Sequence, residues 1–435
     1  MRPVRADHPP RPFRGRLVVL AGVLLVALNL RVAVTAVSPI LDLLRADVPF
    51  STTHAGLLGT APVVTFALFG ALAPAVGRRW GLEPALVAAM LVSAAGEVLR
   101  AAAPDAAWFL AWSVVALAGL GLGNVLLPPL VKRYFPDRIG AVTAAYTVTM
   151  AVSTAAPPLL AVPAGLALGW RPSLGGWAVV GVLSVVPWVV VVARSVGARR
   201  SLRDVLAHSR TDAGAAPRDV HAPGQVWRSP LAWAMTVTFA MNTTNVYVAF
   251  AWLPGMLTDA GATAADAGRW LALFGLLGFV SALVVPPITA RVGNPWWLVV
   301  VFVGLYVTAY VGLLTDPGGA TGLWVACLGV APGAFPLVLT LVGLRTRTAS
   351  GAASLSGFVQ GFGYAIAGAG PFAVGALHEA TGGWEPVMLA MLGTVAVLGV
   401  AGVLACRPRM LEDTWGAAVV APRPRDAVGR AGGPG

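Results

Sequence analysis

Long apolar runs separated by short basic or proline-containing turns make up most of this chain. Read at about 20 residues per crossing, they predict an all-α membrane protein with twelve transmembrane helices. The runs fall near 17–43, 53–76, 83–103, 107–131, 139–163, 174–193, 229–257, 267–290, 295–315, 320–343, 349–376 and 384–405. The first is expected to stay in the protein. It is too long for a signal peptide core, lacks a small-residue exit and precedes eleven further apolar runs. One long interruption, 194–228, carries seven arginines with Pro217, Pro223 and Gly224, so it cannot cross a membrane. It divides the chain into a segment 1–16, a six-helix bundle 17–193, the linker 194–228, a second six-helix bundle 229–405 and a tail 406–435.

The halves share a phrase. "LLPPLVKRYFPDRIGAVTAAYTVTM" and "GAFPLVLTLVGLRTRTASGAASLSGFVQG" each read as a proline-marked helix, a basic turn and a small-residue helix with polar positions at its middle. Parallel halves of this kind enclose a central path in two-bundle carriers. Prolines and glycines inside other runs, as in "LPP" at 127–129, "APPLLAVP" at 156–163 and "VPP" at 285–287, would end helices in water. In a membrane, neighbouring helices can satisfy the freed carbonyls, leaving kinks or close packing.

The polar positions within the runs are few, and Arg31 is the strongest. Counted from Leu17 at about 1.5 Å per residue, it lies about 20 Å along the first helix, too deep for either headgroup region. A guanidinium cannot shed its charge, and placing it there costs roughly 2.5–3.5 kcal/mol unless a cavity or partner compensates. Arg31, Thr35 and Ser38 share one helical face suited to an anion, and Asn29 lies beside it. Asn124 follows Gly121 and Gly123 on the fourth helix, and Tyr146 stands among Thr143, Thr147 and Thr149 on the fifth. Asn242 and Asn245 lie three apart on the seventh, with Tyr247 and Trp252 at other positions. Gln360 and Tyr364 lie one i, i+4 step apart on the eleventh, and Ser356 completes their stripe. Each amide or phenol could line a wet cavity or bridge helices within a bundle, because a buried polar group needs a partner either way.

Charge sets the expected orientation. With the N-terminus cytoplasmic, that side receives Arg2, Arg5, Arg11, Arg14, Arg16, Arg78, Arg79, Lys132, Arg133, Arg138, the linker, Arg291, Arg345, Arg347 and the tail. The other side receives Arg45, Arg100, Arg171 and Arg269. That bias predicts a multi-pass protein of a cell inner membrane or plasma membrane, with both termini cytoplasmic.

Composition narrows the class further. The chain is 57% apolar and 11% charged, with mean hydropathy +0.78, against about 25% charged residues in soluble domains. The net charge of +12 is explained by topology, so no nucleic-acid partner is expected. Cys327 and Cys406 form no disulfide framework or thiolate metal set, and neither a metal nor a cofactor is expected. No phosphate-binding loop, H-E-x-x-H or G-x-S-x-G sequence is present, which argues against an ATP-driven pump or an enzyme. A sensor or scaffold would need an output domain that the pattern does not suggest. No acid falls at mid-helix: Glu97 lies near the outer end of the third helix and Asp266 near the start of the eighth. His54 reads as an interfacial residue, so coupling to protons stays open.

The phrases "ALNLRVAVTAVSP", "GLGNVLLPPLVKRYFPDRIGAVTAAYT", "WLPGML" and "GLRTRTASGAASLSGFVQGFGYAIAGAGPFAVGALHEATGGW" resemble major facilitator superfamily transporters of the cyanate/2-nitroimidazole transporter (CynX/NimT) group, over roughly 17–405. The resemblance implies a V-shaped two-domain carrier working by alternating access, with Arg31, Asn124, Tyr146, Gln360 and Tyr364 around the solute. Two departures stand out. Val32 replaces a proline that usually follows the arginine, which should alter the kink there. "GALAPAVGRR" keeps Gly70, Gly77, Arg78 and Arg79 but has Pro74 where the superfamily loop has an aspartate, removing a charged latch.

The sequence therefore predicts a monomeric secondary transporter for a small anionic or polar organic solute, cyanate-like or nitroimidazole-like. Its expected solute-contacting residues are Arg31, Asn29, Asn124, Tyr146, Asn242, Asn245, Gln360 and Tyr364, with gating through Arg78 and Arg79. The alternative is a broader drug or nitroaromatic exporter in which Trp252, Phe358 and Phe362 supply apolar contact.

Overall fold

The computed structural model describes residues 16–49, 52–194 and 226–415, and those residues are helical with short turns. The expected segment 1–16 (apart from Arg16), most of the linker 194–228 and the tail beyond 415 lie outside the described residues. In chain order the helices are α1 Leu17–Asn29, α2 Val32–Thr35, α3 Leu41–Asp47, α4 Thr52–Trp80, α5 Leu82–Ala101, α6 Ala106–Tyr134, α7 Ile139–Leu168, α8 Trp170–Gly175 and α9 Ala178–Arg194. After the linker come α10 Pro230–Asp259, α11 Ala264–Arg291, α12 Trp296–Thr315, α13 Thr321–Val330, α14 Ala334–Leu344, α15 Ala349–Gly368, α16 Gly370–Thr381 and α17 Glu385–Cys406.

Among the described residues, ten segments are long and apolar enough to cross a membrane. This is a multi-pass, all-α membrane protein. Two of the twelve predicted runs fall outside those ten: α10, with Asn242, Thr243, Thr244 and Asn245 at its middle, and the α15–α16 pair, with Ser356, Gln360 and Tyr364. Polar residues at mid-length lower the apolar signal where the chain needs them.

Prolines inside the apolar runs are carried within helices: Pro62 and Pro74 in α4, Pro128 and Pro129 in α6, and Pro286 and Pro287 in α11. Other runs are interrupted at their prolines: the 3-10 turn Ala331–Gly333 joins α13 to α14, and α15 gives way to α16 at Ala369, just before Pro371. Glycine sets the closest helix contacts. A Cβ on Gly119 of α6 would stand 2.2 Å from the Ala89 carbonyl oxygen, and one on Gly96 of α5 would stand 2.4 Å from the Ala116 nitrogen. Without a hydrophobic drive between helices in lipid, approach this close supplies the dispersion that holds them.

The first predicted helix is not continuous. It stops at Asn29 and resumes at Val32, and Arg31 occupies the step with φ −117°. The break occurs without the proline, because side chains from other helices take freed backbone groups at both ends of α2. The Arg31 N–H donates to Ser153 Oγ at 3.1 Å before α2, and Arg100 Nη1 donates at 2.9 Å to the Ala33 carbonyl, which is freed where α2 stops at Thr35. Arg100, at the end of α5 away from the basic face, is 1% exposed and serves the end of α2.

The segments before and after the linker meet along α4–α15, α7–α11, α6–α15 and α14 with α6 and α7. The end of the molecule bearing Arg16, Lys132, Arg138 and Arg345 is its basic face. There Lys132 Nζ donates to the Gly343 carbonyl at 2.7 Å, and Gly140 lies where a Cβ would strike Ala290 and the Pro286 carbonyl. Hydrogen bonds between the two halves run from mid-depth to this face. The halves are closed on the basic side.

Candidate functional site

Arg31 is half-buried at mid-depth, where the break in the first helix turns it toward the other half of the chain. Its Nη2 donates to the Tyr364 hydroxyl of α15 at 3.4 Å, and its Cζ lies 5.6 Å from the Phe66 ring centroid of α4. No carboxylate stands within ion-pair distance of it among the described residues. A guanidinium has five N–H groups, and this one commits a single long hydrogen bond, so most of its donors are unspent.

The remaining polar groups form a chain across the same junction. Asn124 Nδ2 of α6 donates to Gln360 Oε1 at 2.7 Å and to the Tyr364 hydroxyl at 3.2 Å. Gln360 Nε2 donates to Ser356 Oγ at 2.8 Å, and Ser356 Oγ donates to the Val125 carbonyl at 2.9 Å. Tyr364 thus accepts two hydrogen bonds and keeps its own hydrogen uncommitted, beside the unspent donors of Arg31. Phe66 and Phe239 meet its ring edge-on at centroid distances of 5.6 Å and 5.1 Å, which fixes its orientation. Tyr247 of α10 is half-buried and interacts electrostatically with both Arg31 and Tyr364. A cation, phenols and aromatic walls without a counter-charge suit a small planar solute with a negative end.

The structure brings Arg31, Asn124, Gln360 and Tyr364 together, and it places the other predicted residues elsewhere. Asn29 points into the first half, donating to Ser93 Oγ at 3.4 Å. The Tyr146 hydroxyl is buried beside Thr143 and makes no hydrogen bond of ordinary geometry. Asn242 accepts from the Tyr306 hydroxyl, while Asn245 accepts from Tyr310 and donates to Thr394 and the Met241 carbonyl. Both asparagines bridge helices within the second half, because α12 and α17 offer them partners there. Phe358 and Phe362 pack with Trp233 on the far side of α15, and Trp252 packs with Trp384, so these rings do not meet Arg31. Sequence reasoning missed Phe66 and Ser153, which carry no signal among apolar and small residues. Tyr247 could have been found from the rarity of tyrosine inside these runs.

Arg78 and Arg79 are exposed and make no hydrogen bond or ion pair with another described residue. Contact at that level comes from Pro74, whose ring lies where a Cβ on Gly357 would sit, 2.2 Å from Pro74 Cγ. The proline that removes the charged latch thus replaces it with steric fit. Gly357→Val should open the basic face, costing the closed arrangement about 1–3 kcal/mol. Spin labels at Arg79→Cys and Arg347→Cys, in a chain lacking Cys327 and Cys406, should report a longer distance. An unchanged distance would remove the role given to this contact.

Other charges on the basic face are held locally. Arg16 pairs with Asp137 at 2.5 Å, and Arg133 and the Tyr134 hydroxyl both bind Glu83. Partial burial pushes the Asp137 carboxyl up, but hydrogen bonds from Arg16 and the backbone, with the charges of Arg16 and Arg138, hold it below the usual carboxylate range. Arg345 Nη2 donates to the carbonyls of Gly293 and Cys406, tying the end of α14 to the end of α17.

The chain is similar in sequence and in fold to known proteins. The sequence model of the Major Facilitator Superfamily matches residues 20–368. The chain is 32% identical to the 2-nitroimidazole transporter of Escherichia coli (strain K12), over 92% of this chain and 98% of that protein. It is 27% identical to the cyanate transport protein CynX of the same organism, over 84% of this chain and 91% of that one. Its fold is similar to the proton:xylose symporter XylE, with a TM-score of 0.68 and 14% identity, covering 92% of this chain and 99% of that structure.

Proposed function

The chain belongs to the Major Facilitator Superfamily, and from that premise we propose that it is a secondary transporter moving a small anionic or polar organic solute by alternating access. It is a carrier rather than an enzyme. The finer reading is a member of the cyanate/2-nitroimidazole transporter group, with twelve helices in two six-helix bundles, 17–193 and 229–405, acting as a monomer. Ten apolar spans and two polar-centred helices of similar length support that count. In this reading the basic face is cytoplasmic by the excess of arginine there, and the halves meet on that side.

One observation carries the reading: an arginine without a counter-charge, at mid-depth, bonded across the two halves to Tyr364. In this reading Arg31 receives the negative end of the solute. Tyr364 donates its free hydrogen, and Asn124 and Gln360 hold Tyr364 in place. Because Arg31 and Tyr364 lie on opposite halves, a solute that bridges them would couple its own binding to the rocking of those halves. The rings on which a broader drug exporter would rely face away from Arg31, so the small-solute reading is preferred.

The test is flux into liposomes containing the purified chain, with cyanate, benzoate and 2-nitroimidazole as solutes. Saturable uptake of at least one is expected. Tyr364→Phe should raise its KM by about fivefold to tenfold, the cost of one hydrogen bond to a charged group. Uptake no faster than in empty liposomes for every solute would overturn the reading.

A further inference from the structure

Glu97 is the one carboxylate fully enclosed among the membrane-spanning helices of the described chain, and the transport scheme above leaves it unused. It is 0% exposed, on the face of α5 turned toward the break in the first helix. Its Oε1 accepts from Ser93 Oγ at 3.1 Å, and Ser93 in turn accepts from Asn29, the last residue of α1. Its Oε2 has no hydrogen-bond partner. One turn further along, Arg100 is 1% exposed and donates from Nη1 to the Ala33 carbonyl of α2, while its Nε and Nη2 have no partner. The two side chains interact electrostatically without any contact within 4 Å.

An ionised carboxylate buried this way would need an excellent ion pair to offset its desolvation, and the pair here is unmade on both sides. Among the described residues no other charge comes near enough to help. Lys132 and Arg133 on α6, Arg194 on α9, and Arg78 and Arg79 on α4 belong to the basic end. Arg171 on α8 pairs with Asp47, Asp105 caps α6, and Glu83 at the start of α5 binds Arg133 and Tyr134. Arg31 turns to Tyr364. Among the described residues, Arg100 is the only charged group that reaches Glu97.

We propose that Glu97 is the proton-binding site of this carrier, and that its occupancy decides which acceptor Arg100 serves. This rests on the transport reading and names its coupling ion. With a proton on Glu97, as the unmade pair describes, the carboxyl is neutral and Arg100 stays on the Ala33 carbonyl, fixing the segment that carries Arg31. When the proton leaves to water, the carboxylate draws the unspent Nη2 of Arg100 toward Oε2, and the Ala33 carbonyl loses its donor. The segment is then held only at its start, by Ser153 on the Arg31 N–H and by Asn29 on Ser93. Proton and solute thus act on the two ends of one short segment, Arg31 to Ala33, so each changes the other's affinity by the same factor.

The experiment uses the full chain in liposomes and compares the parent with Glu97→Gln, which mimics the protonated state. Exchange of labelled benzoate at equal pH on both sides should stay within about threefold of the parent. Accumulation driven by a gradient of about one pH unit, up to about tenfold per coupled proton in the parent, should vanish in the variant. Gradient-driven accumulation that survives Glu97→Gln overturns the proposal. Infrared titration of the detergent-solubilised parent decides the matter independently of flux. It should show a protonated carboxylic acid that titrates and is missing from Glu97→Gln; no such group would also overturn it. A parent that moves no solute fails the transport reading instead, and the infrared result still stands on its own.

Discussion

Arg31→Ala should reduce solute flux in kcat/KM by about a hundredfold or more while leaving a folded, monodisperse protein. The expected size follows from removing the charged partner of a desolvated anion. The fold should tolerate the change, because the guanidinium makes one 3.4 Å hydrogen bond and a ring contact, while its backbone N–H, which serves Ser153, is retained. Burial of an unmatched cation is itself a cost, so the variant should be no less stable than the parent, as measured by its thermal unfolding in detergent. Arg31→Lys should fall between the two. It keeps the charge but loses the planar fork that can bind a carboxylate by two bonds. An alanine variant that transports like the parent would assign Arg31 to architecture alone.

Gly119→Ala should have the largest effect on stability of any single methyl added to this chain. Its Cβ would meet the Ala89 carbonyl oxygen at 2.2 Å, the Ser93 nitrogen at 2.7 Å and Ser93 Cβ at 2.9 Å, so backbone rather than a flexible side chain must yield. Overpacking of a tight core typically costs up to about 3 kcal/mol, and a clash with backbone belongs at or above that end. The consequence reaches function, since Ser93 sits between Asn29 and Glu97 beside the break that positions Arg31. Gly278→Ala on α11, with nothing within 4 Å of the new methyl, should be neutral or stabilising by up to about 1 kcal/mol. Thermal unfolding of both variants should separate them widely. Equal midpoints would show that α5 and α6 do not depend on this approach.

Much of the site is legible in the sequence for a simple reason. A charge, an amide and a phenol amid apolar neighbours have few stable places, and Gln360 and Tyr364 fall on one helical stripe whose other member, Ser356, also turns to the opposite half. What the sequence does not reveal is which way a stripe faces. Asn242 and Asn245 have the same chemistry as Asn124, yet Tyr306, Tyr310 and Thr394 on neighbouring helices absorb them. Helix packing alone decides that outcome. Arg100 and Glu97 mislead for a related reason. Their places near the end of a run suggest an interface, but the broken first helix leaves a carbonyl that only a buried donor can serve. The break is hard to foresee without the proline at Val32, since its supports, Ser153 and Arg100, are about 120 and 70 residues away in sequence. The ten clear spans were readable from hydropathy, whereas α10 and α15 weaken that signal through their polar centres.

The central claim is that an unpaired guanidinium recognises a negative charge between the two halves. The most direct test is competition during benzoate exchange in liposomes, comparing unlabelled benzoate with benzamide, its neutral isostere. Benzoate should compete at least about tenfold better, one charge-assisted pair's worth of selectivity, and that preference should collapse in Arg31→Ala. Equal competition by the acid and the amide in the parent, or a preference that persists without Arg31, would contradict the account.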